Sequence, residues 1–147
     1  MTIALSAEEV AAKLDKRLDS NIINADQNTI LIKSDSLKEL LSSLKNTPGL
    51  DFDYLNDITA IDYWDYFELV YQLTSLKNNH KLTVKIRLVG RDNPVAPSIT
   101  SIYKGADYQE REIHDLMGIK FEGHPNLKPI VLWEGFKGYP LRKDYLE

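Results

Sequence analysis

Two runs of strict two-residue alternation fix most of what this chain can fold into. Phe67, Leu69, Tyr71 and Leu73 alternate with Glu68, Val70, Gln72 and Thr74, and Leu82, Val84, Ile86 and Leu88 alternate with Lys81, Thr83, Lys85 and Arg87. Successive side chains of a strand point to opposite faces, so each run has an apolar face and a wetter one. The polar stretch Lys77-Asn78-Asn79-His80 between them supplies the turn of an antiparallel hairpin. Strands buried on both faces read as solid Val/Ile runs, so helices are expected on only one side of this sheet. The expected class is α+β: a two-layer sandwich with a mixed, mostly antiparallel sheet, helices on one face and an extended tail.

The N-terminal third supplies the helices. Ser6 with Glu9 forms a capping-box pattern ahead of Val10, Ala11, Leu14 and Leu18, which predicts an amphipathic helix from about 7 to 18. Ser36 with Glu39 repeats the pattern ahead of Leu37, Leu40, Leu41 and Leu44, and Thr47-Pro48-Gly49 stops that helix near Asn46. Between them, Ile22-Ile23 and Thr29 to Ile32 flank the polar run Asn24 to Asn28, which predicts a hairpin with its turn in that run. Residues 50–66 are rich in Tyr and Asp. Asp51, Asp53, Asp57 and Asp62 lack the ligand spacing and turning glycine of a calcium loop, so a solvated connector is expected. Tyr54, Tyr63, Trp64, Tyr66 and Phe67 are interleaved with acids where a nucleic-acid stacking platform wants Lys and Arg, so an aromatic corner over the sheet is expected.

Composition removes several kinds of function. The 147 residues contain no cysteine, which excludes a disulfide framework, a thiolate-held iron–sulfur cluster, a Cys-type zinc site and a thiol nucleophile. Eighteen basic against 22 acidic residues give a net charge of −4, the wrong sign for a phosphate-binding face. The opening residues lack the apolar core of a signal peptide and no stretch suits a membrane span, so a soluble, cytoplasmic chain is expected. No repeat or linker divides it, and one domain over 1–147 is the natural reading at this length.

The second half is more specific. Arg91 to Pro97 reads as a loop, Ser98 to Tyr103 as a strand, and Ala106 to Met117 as a helix ended by Gly118. Gly123, Pro125, Pro129, Gly135, Gly138 and Pro140 then punctuate the chain too densely for long elements, so a body of about 1–118 and an extended tail of 119–147 are expected. Glu110 and His114 lie four apart on one helix face, the spacing of a metal or acid–base pair and equally of an ordinary surface pair. There is no HExxH motif, nucleophile elbow, P-loop or dinucleotide-binding glycine pattern.

The run Glu110-Arg111-Glu112-Ile113-His114-Asp115-Leu116-Met117-Gly118-Ile119, then Gly123-His124-Pro125 and Pro140-Leu141-Arg142-Lys143-Asp144-Tyr145, resembles the thirty-kilodalton subunit of proton-pumping NADH:quinone oxidoreductase. Upstream, Ile58 to Tyr63 and the two alternating strands sit where that family has its α+β body. By position, the resemblance implies Glu110, Arg111, Glu112, Asp115, Gly118, His124, Pro125, Pro140, Leu141, Arg142, Lys143 and Asp144 as signature or partner-interface residues. Tyr103, Tyr108, His114 and Lys128-Pro129 depart from residues common in the family, and the resemblance implies the family's core with little expected at either end.

The resemblance implies a non-catalytic, hydrophilic peripheral-arm subunit packed on a large subunit related to that of nickel–iron hydrogenases, with iron–sulfur subunits nearby. It implies no cofactor in this chain; FMN, iron–sulfur clusters or a nickel–iron centre would belong to partners. It implies a position on the cytoplasmic face of the cell membrane, through the complex and with no span of its own. The equivalent subunit of an energy-converting nickel–iron hydrogenase is the alternative. A free-standing hydrolytic enzyme using Glu110, Glu112, His114 or His124 is a further one. An Arg between two carboxylates, with an Arg-Lys-Asp terminus, suits a charged network that clamps the tail onto the body or onto a partner.

Overall fold

The computed structural model describes residues 3–4, 6–14, 18, 20–133 and 136–145. A six-stranded sheet carries the fold. Its strands are β1 (Ile3–Ala4), β2 (Ile22–Asp26), β3 (Thr29–Ile32), β4 (Tyr54–Asp62), β5 (Tyr66–Ser75) and β6 (His80–Val89). The order is β2-β3-β6-β5-β4, with β1 beside β6. The pairs β2/β3, β4/β5 and β5/β6 are antiparallel, whereas β3 and β1 run parallel to β6. The two alternating runs form β5 and β6 as expected, registered so that Leu69 faces Ile86 and Tyr71 faces Val84.

Helices α1 (Ala7–Lys13), α2 (Leu37–Asn46) and α3 (Ala106–Met117) bury their apolar stripes in one core. Val10, Leu40, Leu41, Leu44, Ile113 and Met117 meet Phe67, Leu69, Tyr71, Leu82, Val84 and Ile86 there. Burying each of the larger aliphatic side chains stabilises the fold by about 1.5–3 kcal/mol. The opposite sheet face is mixed, with Leu31 and Val70 among polar cross-strand pairs. Glu68 lies opposite Arg87 at 3.4 Å, and Thr83 donates to Gln72 at 2.8 Å. The mixed, mostly antiparallel α+β architecture is therefore the one the alternation demanded.

Several local expectations are corrected. α1 ends at Lys13, because Leu14 is extended, and residues 15–17 of the expected helix lie outside the described residues. Neither Ser6 nor Ser36 makes a side-chain capping bond; Ser36 closes a 3₁₀ turn, Ser34–Ser36, that runs straight into α2. The first hairpin turns at Gln27-Asn28, with β2 continuing through Asn24, Ala25 and Asp26.

The supposed connector at 50–66 contains β4, a nine-residue strand. Its register shifts between Leu55 and Asp57, so Leu55 and Ile58, three apart, both point into the core. That bulge breaks the two-residue period and hides the strand from a pattern search. Ser98 to Tyr103 is not a strand but a series of turns. The strand lies just before it as β7 (Val95–Pro97), parallel to β8 (Lys120–Glu122), with α3 in the crossover. The turns are held against α2 and the loop after it, where Lys45 donates to the Ile102 carbonyl and the Tyr103 hydroxyl to that of Phe52, both at 2.6 Å.

Candidate functional site

The crossover α3 and the chain after it bring together, at one end of the sheet, many of the residues that the resemblance singled out. Glu110 is fully buried on the inner side of α3. Its carboxylate accepts from the Ser98 hydroxyl at 2.6 Å and from the Ile99 amide at 2.8 Å, which fixes the turn after β7. Burial pushes its pKa up, against the opposing pull of those two donors and of His124. The His124 ring is buried beside it. Asn126 donates its amide to Nδ1 at 2.9 Å, so Nδ1 accepts and the ring proton sits on Nε2. Nε2 faces the Asp107 carbonyl at 3.2 Å, with Glu110 at 4.0 Å.

Glu110 and His114 do not pair. His114 turns its Nδ1 to the Ile119 carbonyl at 3.0 Å, on the way out of the helix. The hydrogen-bond partners of Glu110 are Ser98 and Ile99, with His124 beyond them at 4.0 Å, and the helical spacing suggested none of these. Among the described residues no group of three or more His, Asp or Glu is placed to hold a metal ion. Glu110 is tied into the turn after β7.

The C-terminal end of α3 holds the tail. Asp115 is buried, and one of its oxygens accepts the amides of Ile130, Val131 and Leu132 at 3.3, 2.9 and 2.7 Å. Burial alone would raise this carboxyl; the three amides, with His114, outweigh it and leave its pKa below the ordinary value. The last carbonyls of a helix lack partners inside it. Here the Leu141 amide takes that of Leu116 at 3.0 Å, and Arg142 Nε takes that of Met117 at 2.6 Å. A guanidinium at this end also complements the helix dipole. Gly118 follows with φ of 74°, and a Cβ there would lie 2.6 Å from the Tyr139 ring and 2.7 Å from Arg142. Glycine is thus required twice, for the left-handed turn and for the seat of the tail.

A second anchorage was not foreseen. Asp62, at the end of β4, is buried and forms a two-toothed pair with Arg91, both contacts at 2.7 Å. It also accepts the amides of Trp64 and Lys143, each at 2.9 Å. Arg91 holds this carboxyl far below the usual range, and the two amides add to the effect. Asp144 reaches the other side of Arg91 at 3.2 Å, and Arg142 donates to the Arg91 carbonyl at 2.9 Å. Both guanidinium groups lie over the Phe67 ring, at 5.0 and 4.9 Å from its centre. Asp62 was expected in a solvated connector, and Arg91 in an undistinguished loop. The only local signal was the Asp62-Tyr63-Trp64 order, which suits a side chain accepting the amide two residues on. The 29-residue separation from Arg91 has no sequence signature.

The charged network therefore binds the tail to the chain's own body, and it divides the signature into inward and outward groups. Glu110, Asp115, Gly118, His124, Arg142 and Asp144 make the inward contacts, as do the main chains of Leu141 and Lys143. Arg111 steadies the tail from the surface through the Lys128 and Pro129 carbonyls, at 3.1 and 3.4 Å. Glu112, Pro125, Lys143 and Leu141 are exposed, while Pro140 is half-buried. The same segment exposes Val131, Trp133 and Leu141 at 55%, 70% and 60%. Exposed apolar side chains on a bonded loop are a candidate contact surface.

Residues 30–147 match the family model described as respiratory-chain NADH dehydrogenase, 30 Kd subunit. A C-type subunit of the NADH-quinone oxidoreductase of Rhizobium meliloti is 42% identical over 117 residues, spanning 78% of this chain and 63% of that protein. The corresponding NADH-quinone oxidoreductase protein of Moorella thermoacetica is also 42% identical, over 82% of this chain and 80% of its own length. Among solved structures, a chain of the membrane-bound sulfane sulfur reductase, an archaeal respiratory membrane complex, superposes with a TM-score of 0.71 at 28% identity, over 80% of this chain and 70% of that one. This chain accordingly belongs to the respiratory-chain NADH dehydrogenase 30 kDa subunit family.

Proposed function

We propose that this chain is a hydrophilic, non-catalytic subunit of the peripheral arm of a complex I-like assembly. It packs through the outer surface of its tail on a large subunit related to that of nickel–iron hydrogenases, with iron–sulfur subunits nearby, and so supports electron transfer to quinone without carrying a redox centre. The observation that carries this reading is a division at this end of the molecule: Asp115, Arg142 and the Lys143 main chain hold the tail to the body, while Val131, Trp133 and Leu141 face outward. An enzyme's signature would instead converge on a pocket with groups poised for chemistry. No helix among the described residues is long and apolar enough to cross a membrane, so attachment at the cytoplasmic face would come through partners.

A second reading, the equivalent subunit of an energy-converting hydrogenase-like complex, is supported by the likeness to the sulfane sulfur reductase complex. The test is affinity capture of the tagged chain from its native membranes, with mass spectrometry of what accompanies it. A hydrogenase-like large subunit is expected, and its nickel-binding cysteine pairs, present or absent, separate the two readings. The proposal fails if no such subunit is captured, or if the purified chain alone reduces quinone with NADH.

A further inference from the structure

β4 is the last strand of the sheet, and among the described residues nothing pairs along its outer edge. Such an edge is a template for another strand unless it is protected. Here the bulge between Leu55 and Asp57 interrupts the edge, and beyond it a single side chain bonds to it: the Ile58 amide points outward and donates to Gln109 Oε1 of α3 at 2.5 Å. Alternation of the antiparallel ladder turns the Ala60 amide outward in the same way, and no described group accepts it.

A groove of about 330 Å³ runs between this edge and α3, within the range of about 300–1,000 Å³ typical of binding clefts. Ile58, Ala60, Ile113 and Leu116 give it an apolar lining. Asp57 and Glu112 are its charged members, both exposed, and no Lys, Arg or His lines it. Covering two carboxylates costs free energy unless the partner brings cations to them. A second copy of this chain would set Asp57 and Glu112 against their own likenesses, at a net charge of −4 on each copy.

We infer that the outer edge of β4 takes an extended, basic segment of a partner subunit as an added strand. Its backbone pairs with Ile58 and Ala60, displacing Gln109, and its Lys or Arg side chains meet Asp57 and Glu112. Main-chain pairing would supply affinity and the carboxylates the choice of partner. This inference rests on the assembly reading above, since the partner is a subunit of that complex.

The test compares amide hydrogen exchange across residues 55–62 in the purified chain and in the captured complex. Exchange slowed about tenfold or more in the complex is expected, with Ala60→Pro and the double variant Asp57→Lys with Glu112→Lys each lowering capture of the partner about tenfold. Proline is tolerated where a strand's N–H faces outward on an edge, so Ala60→Pro should melt like the parent as an isolated chain. Should that variant not fold, the charge reversal decides alone. Capture of the complex with unprotected 55–62 overturns the inference while leaving the assembly reading intact. Protection that survives the charge reversal also overturns it, as does protection in the concentrated isolated chain accompanied by a dimer mass. If no assembly is captured, both fall together.

Discussion

At the residue scale, Glu110 is a buried carboxylate that holds the turn after β7. Its folded pKa is raised, so the unfolded chain gives up that proton at lower pH than the folded one. The stability it supports is fully present below the ordinary glutamate range and is lost as pH rises through that range to the folded value. Glu110→Gln keeps an oxygen for the Ile99 amide and a donor for the Ser98 hydroxyl. It is expected to flatten that pH dependence in denaturant titrations and to leave stability at neutral pH equal or higher. Glu110→Ala leaves both partners unsatisfied in a buried site and is expected to cost about 3 kcal/mol. A catalytic glutamate would tolerate both substitutions in stability and neither in turnover. Gly118→Ala places a side chain at φ of 74° and against Tyr139, with an expected loss of about 1–3 kcal/mol in the same titration. The sequence marked Glu110 and Gly118 but not their roles equally well. The helix-ending turn at Gly118 is a local property, legible from one residue and its neighbours. The burial of Glu110 depends on what lies opposite, and helical spacing offered His114 on the same face where the fold supplies Ser98, Ile99 and His124 from elsewhere.

At the scale of elements, the tail is an irregular segment made rigid by two carboxylates and the end of a helix. Asp62 and Asp115 both have lowered folded pKa values, so the stability they provide is present above the ordinary carboxylate range and is lost as pH falls through it. Acid is therefore expected to release residues 130–145 from the body, read as faster amide exchange there than in β5 and β6. Asp62→Asn should produce the same local loosening at neutral pH, since it removes one charge from a buried two-toothed pair and leaves Arg91 only Asp144 as counter-ion. A loss of about 2–4 kcal/mol is expected from urea titration. If exchange in 130–145 is unchanged by Asp62→Asn, the latch does not hold the tail. The punctuation by Gly and Pro made an extended tail legible, because both residues act on their own backbone. The latch was not legible, because it joins the end of β4, the loop after β6 and the C-terminal motif, three places related only by the fold. β4 escaped for a similar reason: its bulge displaces the apolar positions from strict alternation, and only pairing with β5 explains why the chain accepts it.

At the scale of the whole molecule, one sheet face is closed by helices, the other carries its own cross-strand pairs, and the latched tail displays Val131, Trp133 and Leu141 outward. Because the latch uses side chains that point inward, the outer surface can be altered without loosening it. The double substitution Val131→Ser with Trp133→Ser changes side chains that are 55% and 70% exposed, while the Val131 amide still reaches Asp115. Such surface changes typically move stability by no more than about 0.5 kcal/mol, so the isolated double variant is expected to melt with the parent. Aromatic anchors at the centre of an interface cost about 2 kcal/mol or more when truncated, so recovery of the large subunit in affinity capture should fall at least tenfold. Asp62→Asn gives the opposite control: a loosened tail keeps its apolar side chains but holds them in no fixed arrangement, so it should lose partner and local protection together. A Val131→Ser, Trp133→Ser variant that captures the complex as fully as the parent would mean that the exposed tail side chains are not the contact. The groove along β4 would then be left as the principal attachment on this end of the molecule.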